Sequence, residues 1–381
     1  MVAGPLTIVQ MLPELEAGGV ERGALELGKY LVQQGHRSIV ISGGGRLVSQ
    51  LESEGSEHVL WDVGTKSPLT LRYVPRLRKF LTQNKVDILH LRSRVPAWVG
   101  YLAWRKMNPE SRPRLVTTFH GFYSVNRYSA IMARGEKVIA ISKAIASHIH
   151  EEYKINPENI ELIYRGFDAE KFNPAVITNE DINYWHGRWG LPEDNKSPVI
   201  MLPGRLTRLK GHDVFIRALD RIRDMNWLAV CVGEADDNPA YRNELEQLSA
   251  GLHLDKRVRF VGHCDNMPVA YRLSDIVVSA TSSRPEAFGR IAVEAQAMER
   301  PVIASAQGGS METVLPGKTG WLVEPSDPES LAEAMREGLS NPGLCKEYGE
   351  AGREWVLENF TTKKMCERTL ELYRNLIKMN Y

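Results

Sequence analysis

Short apolar runs rich in β-branched residues alternate along the chain with longer segments whose apolar residues recur at helical spacing. Near-continuous apolar runs of this kind predict parallel strands that are buried on both faces of a sheet. The first set of predicted strands comprises Leu6–Leu12, Ser38–Ser42, Val86–Leu91, Leu115–Phe119 and Lys137–Ile141. The second set comprises Val199–Leu202, Leu228–Val232, Val258–Val261, Ile276–Ser279 and Val302–Ala304. Two sets in tandem predict an α/β protein with two Rossmann-like domains that face each other across a deep cleft.

The segment between the two sets predicts the domain boundary. Several prolines surround a pair of tryptophans in residues 173–197, so we place the linker there. The predicted domains are then residues 1–173 and 192–360. Apolar residues recur at helical spacing from Thr361 to Met379, which predicts a closing helix within residues 361–381.

Composition agrees with a two-domain globular protein. A chain of 381 residues is longer than one ordinary core, and its 43% hydrophobic and 25% charged residues are typical of globular proteins. The four cysteines are far apart and form no Cys-x-x-Cys pair, which argues against a zinc site and favours a reducing compartment. We find no signal-peptide pattern, and no apolar run approaches the roughly 20 residues of a membrane span. A cytoplasmic location is therefore expected.

Two cations follow the first predicted strand of the second domain. The segment from Gly204 to Gly211 reads Gly-Arg-Leu-Thr-Arg-Leu-Lys-Gly, so Arg205 stands at the carboxyl end of a strand and Lys210 lies five residues later. Open α/β sheets bind ligands at this edge. Two fixed cations there would neutralise a diphosphate and stabilise the charge that develops on it as a leaving group. A solvated basic loop is the alternative interpretation.

Two carboxylates follow further along the chain, at Glu286 and Glu294. Because Gly289 would weaken a helix interior, we predict that a helix begins at about Phe288–Gly289 and continues through Ala297. The free amides at its start would face an anion or a sugar hydroxyl. At about 1.5 Å rise per residue the two carboxylates would lie on the order of 10 Å apart, so one ligand could contact both. The alternative is an ordinary helix whose acidic residues favour its dipole.

Together these motifs resemble the retaining nucleotide-sugar glycosyltransferases of the GT-B fold, in the family 4-like group that includes lipopolysaccharide-core and phosphatidylinositol mannosyltransferases. The resemblance extends through most of the chain. It implies that Arg205 and Lys210 hold the donor diphosphate beside Gly204, that Glu286 contacts the donor sugar and that Glu294 contacts the ribose. It also implies that the amides of Phe288 and Gly289 lie nearby, that the nucleobase runs along Gly262–His263, and that the closing helix crosses back onto the N-terminal domain.

The first domain offers weaker signals. Gly18 and Gly19, in the segment Ala17-Gly18-Gly19-Val20, follow a strand and precede a predicted helix, so their backbone could approach a donor phosphate. No Gly-x-Gly-x-x-Gly occurs there, which argues against a dehydrogenase. His120 ends a buried strand and could donate a hydrogen bond to the transferred sugar or to the departing phosphate; a satisfied core histidine is the alternative. Arg165 stands where this family commonly has asparagine, and its role stays open.

The resemblance implies transfer of a sugar from a nucleotide-diphosphate donor to an acceptor hydroxyl with retention at the anomeric carbon. No Asp-x-Asp occurs in the chain, so we expect no metal and no cofactor, with cations and helix-start amides stabilising the leaving diphosphate. No carboxylate is a convincing covalent nucleophile, which favours substitution on one face of the sugar assisted by the departing phosphate. The expected acceptor is a glycan or glycolipid of bacterial lipopolysaccharide or another envelope glycan; a small soluble acceptor is the alternative.

Three other functions stay open at this point. An epimerase of the same fold would turn over the donor without an acceptor. A phosphorylase-like enzyme would carry a lysine-bound pyridoxal phosphate. A nucleic-acid-binding protein would use the basic half, but its aromatic residues are not interleaved with the cations, so we expect no nucleic-acid partner.

Charge is unevenly distributed along the chain, and this bears on the acceptor. The net charge is +7 for residues 1–167 and −6 for the rest, so the N-terminal half is expected to face something anionic. Arg72, Arg76, Arg78 and Lys79 accompany apolar residues at helical spacing. Such a basic amphipathic helix predicts peripheral contact with the inner face of the plasma membrane, and a solvated helix face is the alternative.

Overall fold

The computed structural model describes residues 4–16, 18–192, 197–235 and 239–378. Ala17 of the predicted glycine turn, residues 193–196 of the predicted linker and residues 379–381 of the predicted closing helix lie outside these ranges. Contacts divide the chain into a first unit, Met1–Gly166 with Thr362–Tyr381, and a second unit, Phe167–Thr361. Within the described ranges, no helix combines the length and apolar content that crossing a membrane requires.

The first unit is built on a seven-stranded parallel sheet. Its strands are β1 Thr7–Met11, β2 Arg37–Ser42, β3 Glu57–Leu60, β4 Ile88–Leu91, β5 Arg114–Phe119, β6 Lys137–Ala140 and β7 Ile160–Leu162. Their order in the sheet is β3-β2-β1-β4-β5-β6-β7. Its first helices are α1 Gly19–Gln33, α2 Val48–Ser53, α3 Tyr73–Gln83, α4 Arg94–Arg105 and α5 Lys143–Tyr153, with 3-10 turns at Pro68–Arg72, Ser129–Arg134 and Pro157–Asn159.

The second unit contains a six-stranded parallel sheet. Its strands are β8 Val199–Pro203, β9 Leu228–Val232, β10 Val258–Gly262, β11 Ile276–Ser279, β12 Val302–Ser305 and β13 Gly320–Val323, in the order β10-β9-β8-β11-β12-β13. Its helices are α6 Asn179–Arg188, α7 His212–Arg221, α8 Pro239–Gly251, α9 Met267–Arg272, α10 Arg290–Ala297, α11 Ser310–Thr313, α12 Pro328–Ser340 and α13 Pro342–Asn359, with 3-10 turns at Pro174–Val176 and Arg208–Lys210.

The central strands coincide with the predicted apolar runs to within two residues at each end, because strands buried on both faces must be apolar throughout. Three strands are absent from the prediction: β3, β7 and β13. Each is at an edge of its sheet, and each is partly exposed. Charged or polar residues interrupt the apolar runs of β3 and β7, whereas β13 reads Gly-Trp-Leu-Val, so polarity does not explain its absence from the prediction.

The region predicted as a linker belongs to the second unit. It contains α6, which begins with a capping box formed by Thr178 and Asp181. Trp185 and Trp189 are 5% and 3% exposed, and α6 packs against α9 within the second unit. The prolines that suggested a linker instead bound a helix whose tryptophans are anchored in this unit, so the chain passes between units at Gly166–Phe167.

The last helix, α14, comprises Thr362–Lys378 and belongs to the first unit. It packs against α1 and adds Cys366, Leu370 and Tyr373 to the core around Ile8 and Leu27. The Tyr373 hydroxyl lies 2.6 Å from Nδ1 of His90, on the central strand β4. Two distant parts of the chain therefore share one core.

Candidate functional site

A glycine turn places Arg205 at the carboxyl end of β8. Gly204 adopts a φ of +139°, a left-handed conformation that favours glycine, and its N–H donates to the carbonyl of Val232 at 2.8 Å. The N–H of Leu206 donates to the carbonyl of Glu234 at 2.8 Å. The backbone of the turn is thus fixed on both sides of Arg205, whose side chain is exposed.

Lys210 ends the short 3-10 turn Arg208–Lys210, two residues before α7 begins at His212. One tight turn therefore separates Lys210 from the helix, and Gly211 closes this turn with a φ of +68°. Ser282, in the loop after β11, donates its N–H to the carbonyl of Leu209 at 3.0 Å. This bond ties the turn to the loop that carries Glu286.

Lys210 forms an ion pair with Glu286, the first of the two predicted carboxylates. Their side chains are only 22% and 14% exposed, so water screens the pair weakly. The structure thus brings together a predicted diphosphate cation and a predicted sugar-binding acid. Their pairing holds both side chains in place beside the β8 turn, since the Lys210 side chain also lies against Gly204.

The predicted helix after Glu286 is α10, and Gly289 is its N-cap residue with a φ of +87°. Phe288 is 4% exposed and packs edge-on against Phe360 at 5.6 Å between ring centroids. The N–H of Gly309 donates to the carbonyl of Glu286 at 2.8 Å. A methyl group added to Gly309 would lie 2.4 Å from the Phe288 Cα, so this glycine is required for close approach of the two loops.

Glu294 lies one turn into α10 and is 8% exposed. Its Oε1 accepts from Nη2 of Arg290 at 2.6 Å, and its Oε2 accepts from the Tyr271 hydroxyl at 3.1 Å. Burial, and then the Glu294 charge, raise the pKa of Tyr271 well above its ordinary value, so the hydroxyl stays a donor. Because a carboxylate offers about four acceptor positions, Glu294 has room for a ligand hydroxyl beside its protein partners.

The Gly262–His263 segment follows β10 at the same edge of the second sheet. The register of β10 against β9 shifts between Phe260 and Gly262, and Gly262 has a φ of +74°. The N–H of Gly233 donates to the Gly262 carbonyl at 2.8 Å, whereas the side chain of His263 is exposed. These contacts bring the segment next to the Gly204 turn, since Gly233 also packs against the Gly204 carbonyl.

In the first unit, His120 follows β5 and the glycine pair begins α1. Gly18 is the N-cap residue of α1, without a side-chain cap, and Gly19 is its first helical residue. Nε2 of His120 is buried and has no hydrogen-bond partner. His120 is therefore not the satisfied core histidine considered from the sequence. Burial first, and then the Arg92 and Arg165 charges, lower its pKa well below the ordinary value.

Three residues around these groups were not predicted from sequence: Arg92, Tyr271 and Arg290. Arg290 precedes Glu294 by four residues, a spacing that places both on one helix face and could have indicated the pair. Tyr271 and Arg92 come close only through the tertiary fold and leave no such signal. Within the described ranges, no cluster of three or more His, Cys, Asp or Glu side chains is placed to hold a metal ion.

A cavity lies in the second unit, away from the predicted donor residues. It has a volume of about 390 Å³, and its lining includes Pro198, Asp275 and Pro301. These residues precede β8, β11 and β12, so the cavity is at the amino-terminal edge of the sheet. The predicted donor residues cluster at the carboxyl edge, where α/β sheets of this kind bind ligands.

Two family models match the chain and together cover most of it. Residues 184–355 match glycosyl transferases group 1, and residues 17–171 match glycosyltransferase family 4. A solved glycosyltransferase from Rickettsia africae ESF-5 is 36% identical, with 99% of this chain and 100% of that chain covered and a TM-score of 0.91. The protein therefore belongs to the group 1, family 4-like glycosyltransferases, which are transferases of class EC 2.4. Family, enzyme class and the two-domain GT-B fold are as predicted.

Two further relatives are informative. A D-inositol 3-phosphate glycosyltransferase from Catenulispora acidiphila is 31% identical over 259 residues, which are 66% of this chain and 60% of the relative. The chain thus spans less than two thirds of that relative's length. Anabaena HepE, solved in complex with UDP-glucose, is 22% identical, with 97% of this chain and 100% of that chain covered and a TM-score of 0.82. At this identity the likeness shows the fold alone.

Proposed function

We propose that this enzyme transfers a sugar from a nucleotide-diphosphate donor to an acceptor hydroxyl, with retention at the anomeric carbon. The observation that carries the proposal is the Lys210–Glu286 pair beside the fixed turn of Arg205. A cation and an acid held together at the carboxyl edge of a parallel sheet suit a ligand that carries both phosphate and sugar hydroxyls. The UDP-glucose complex of Anabaena HepE, which shares the fold, supports a donor of this class.

In this mechanism Arg205 and Lys210 hold the diphosphate, and Glu286 turns from Lys210 to a sugar hydroxyl when the donor binds. The cations then stabilise the negative charge that grows on the leaving diphosphate. As the bond to the sugar breaks, the acceptor oxygen attacks the same face and passes its proton to the departing phosphate. No protein nucleophile and no metal are needed for this step.

Thermal shift against a panel of UDP-, GDP- and ADP-sugars tests the donor assignment. One of them should raise Tm in a concentration-dependent way, because a ligand that binds only the folded state stabilises it. The matched control is the free sugar, which lacks the diphosphate and should leave Tm unchanged. No stabilisation by any member of the panel would contradict the proposal.

Replacing Glu294 by alanine is expected to weaken binding of the stabilising nucleotide sugar at least tenfold. A hydrogen bond from a ribose hydroxyl to a charged carboxylate typically contributes about 1.5–3 kcal/mol. Isothermal titration calorimetry gives the affinity, and Tm shows whether the variant is folded. Tyr271→Phe is the control because it removes one protein donor to Glu294 and keeps the carboxylate. Equal affinities for Glu294→Ala and the wild type would remove Glu294 from the donor site.

We propose an acceptor from lipopolysaccharide or another envelope glycan, met at the membrane surface. Three leucines of the first unit support this, since Leu60, Leu69 and Leu71 are 69%, 71% and 49% exposed. Leu69 and Leu71 lie in the 3-10 turn before α3, and the guanidinium of Arg76 on α3 lies 4.5 Å from the Trp61 ring centroid, next to Leu60. Exposed apolar and basic side chains together suit an anionic bilayer.

Vesicle co-sedimentation tests the membrane surface. The double variant Leu69→Ser/Leu71→Ser should lose at least tenfold in partitioning onto phosphatidylglycerol vesicles, since each leucine contributes up to about 1.5–3 kcal/mol when buried. Val125→Ser, at another exposed apolar residue of the same unit, is the control. Equal partitioning of the double variant and the wild type would show that Leu69 and Leu71 do not contribute to membrane binding.

A small soluble acceptor is the second candidate. The Catenulispora relative is named for inositol 3-phosphate, a small anionic acceptor. An acceptor of that kind would also suit the net charge of +7 in residues 1–167. Enzyme that turns over a soluble acceptor at full rate without vesicles would favour this candidate.

A further inference from the structure

A small cavity in the first unit is lined by side chains that donate hydrogen bonds. Its volume is about 20 Å³, and its polar lining includes Arg92, His120 and Arg165. His90 also lines it but is satisfied, because its ring nitrogens lie 2.6 Å from the hydroxyls of Tyr373 and Thr118. Room of this size admits a single water or one ligand oxygen.

Arg92 is 5% exposed and carries a charge without a counter-ion. Its Nη1 donates to Oε1 of Gln10 at 3.0 Å, and its Nε is buried without a partner. Among the residues that the structure describes, none forms an ion pair with it. Glu21 and Glu26 act on Arg92 only from beyond ion-pair distance, and burial lowers the pKa of the guanidinium. Buried charges in proteins are normally paired, so this one indicates a missing anion.

His120 lines the same cavity and adds a second donor. Nη2 of Arg165 lies 3.5 Å from Nδ1 of His120. Because a guanidinium can only donate, Nδ1 must accept, and the ring proton is therefore on Nε2. That N–H is buried and has no partner. The neutral, singly protonated ring thus presents a donor to whatever enters the cavity.

Arg165 brings a second guanidinium to the start of α1. A methyl group added to Gly19 would lie 2.6 Å from Nη1 of Arg165, so the absence of a side chain at Gly19 lets the guanidinium approach the helix start. The partial positive charge at a helix N-terminus favours anions. The carboxylate of Glu21 folds over Gly18, with Oε2 buried and unpartnered, and stands at the edge of this positive region.

We propose that Arg92, His120 and Arg165 form an oxyanion site in the first unit that takes one oxygen of a substrate phosphate or carboxylate. The inference deepens the proposed function and rests on it for the source of the oxyanion, which is an anionic group of the acceptor. The cavity receives one oxygen, and the rest of the anionic group stays outside at the helix start.

Calorimetric titration of the full-length enzyme with inorganic phosphate tests the site. Arg165→Gln should weaken phosphate binding at least tenfold, since it removes a charge-assisted donor, and Arg165→Lys should recover part of the loss. Arg127→Gln, at an exposed arginine of the same unit, controls for net charge. Arg92→Gln, with Tm as the check on folding, tests the buried donor. Phosphate affinity within twofold of wild type in both Arg165→Gln and Arg92→Gln, or no phosphate binding by wild type at millimolar concentration, overturns the proposal.

Repeating the titration with a saturating nucleoside diphosphate tests whether the site belongs to the acceptor. Phosphate that still binds, with unchanged diphosphate affinity in Arg165→Gln, identifies an acceptor subsite. Phosphate that is displaced, with weaker diphosphate binding in Arg165→Gln, overturns the assignment to the acceptor. If no nucleoside diphosphate or nucleotide sugar binds, but phosphate binds in an Arg165-dependent way, the oxyanion site stands and the proposed donor class fails.

Discussion

Replacing Lys210 by methionine is expected to lower kcat by about two to three orders of magnitude while leaving the KM of the acceptor within a few fold. The ammonium is held beside Gly204 and paired with Glu286, so it is fixed before the reaction begins. A pre-positioned charge directed at the developing anion typically contributes about 10²–10³ in kcat. Steady-state kinetics with the donor identified by thermal shift measures the effect.

The ion pair complicates this experiment, because removing Lys210 also leaves the 14%-exposed Glu286 carboxylate without its partner. The double variant Lys210→Met/Glu286→Gln removes that isolated charge and should recover most of the lost Tm. It should not recover kcat if Lys210 acts on the leaving group. Arg208→Met is the matched control, since Arg208 is in the same turn and pairs at the surface with Glu244. Recovery of kcat together with Tm in the double variant would show a purely structural role.

Stability is expected to fall as pH drops from about 6.5 to about 4 because of one buried histidine. His212, the first residue of α7, is fully buried, and neither ring nitrogen has a partner at normal hydrogen-bond geometry. Burial first, and then the Lys210 charge, lower its pKa to about 4. The nearby Thr207 backbone and the Asp213 charge raise its pKa, but by less than the opposing effects lower it. The unfolded chain takes up a proton on this histidine near pH 6.5, and the folded chain does so only near pH 4. The stability that the neutral histidine contributes is therefore complete above pH 6.5 and lost by about pH 4. The loss amounts to about 3 kcal/mol.

Urea unfolding at a series of pH values measures this loss. His212→Phe should flatten the stability profile between pH 6.5 and 4, because the replacement ring cannot be protonated. His253→Gln, at an exposed histidine of the same unit, should leave the profile as in the wild type. A profile for His212→Phe that falls as steeply as that of the wild type would place the acid sensitivity in other groups.

Much of the fold could be predicted from sequence because most strands are central. Central parallel strands are apolar on both faces, so they stand out as continuous runs, whereas the partly exposed edge strands β3 and β7 contain charged residues that interrupt the pattern. The prediction of a linker at residues 173–197 was wrong for a related reason. Prolines mark the ends of helices as well as loops, and only the burial of Trp185 and Trp189 shows that α6 is anchored.

The candidate site also contains residues that could be predicted from sequence and residues that could not. Lys210, Glu286 and Glu294 could be found because their chemistry follows strand ends and a helix start, which are local features of sequence. The residues that pair with them could not be found from sequence. The Lys210–Glu286 pair joins residues 76 positions apart, and Tyr271 reaches Glu294 from another helix. Arg92 is notable only for being buried without a counter-ion, a property that no spacing encodes.

Helix α14 determines the order in which the two units can finish folding. The first unit's core includes Leu370 and Tyr373, and the Tyr373 hydroxyl reaches His90 across 283 residues of chain. A ribosome that has finished the first 166 residues has therefore not supplied all of that core. The second unit can complete its own sheet while translation continues, so the part made first would reach its native state last. Until α14 has been made, the apolar face that it covers in the folded first unit stays exposed.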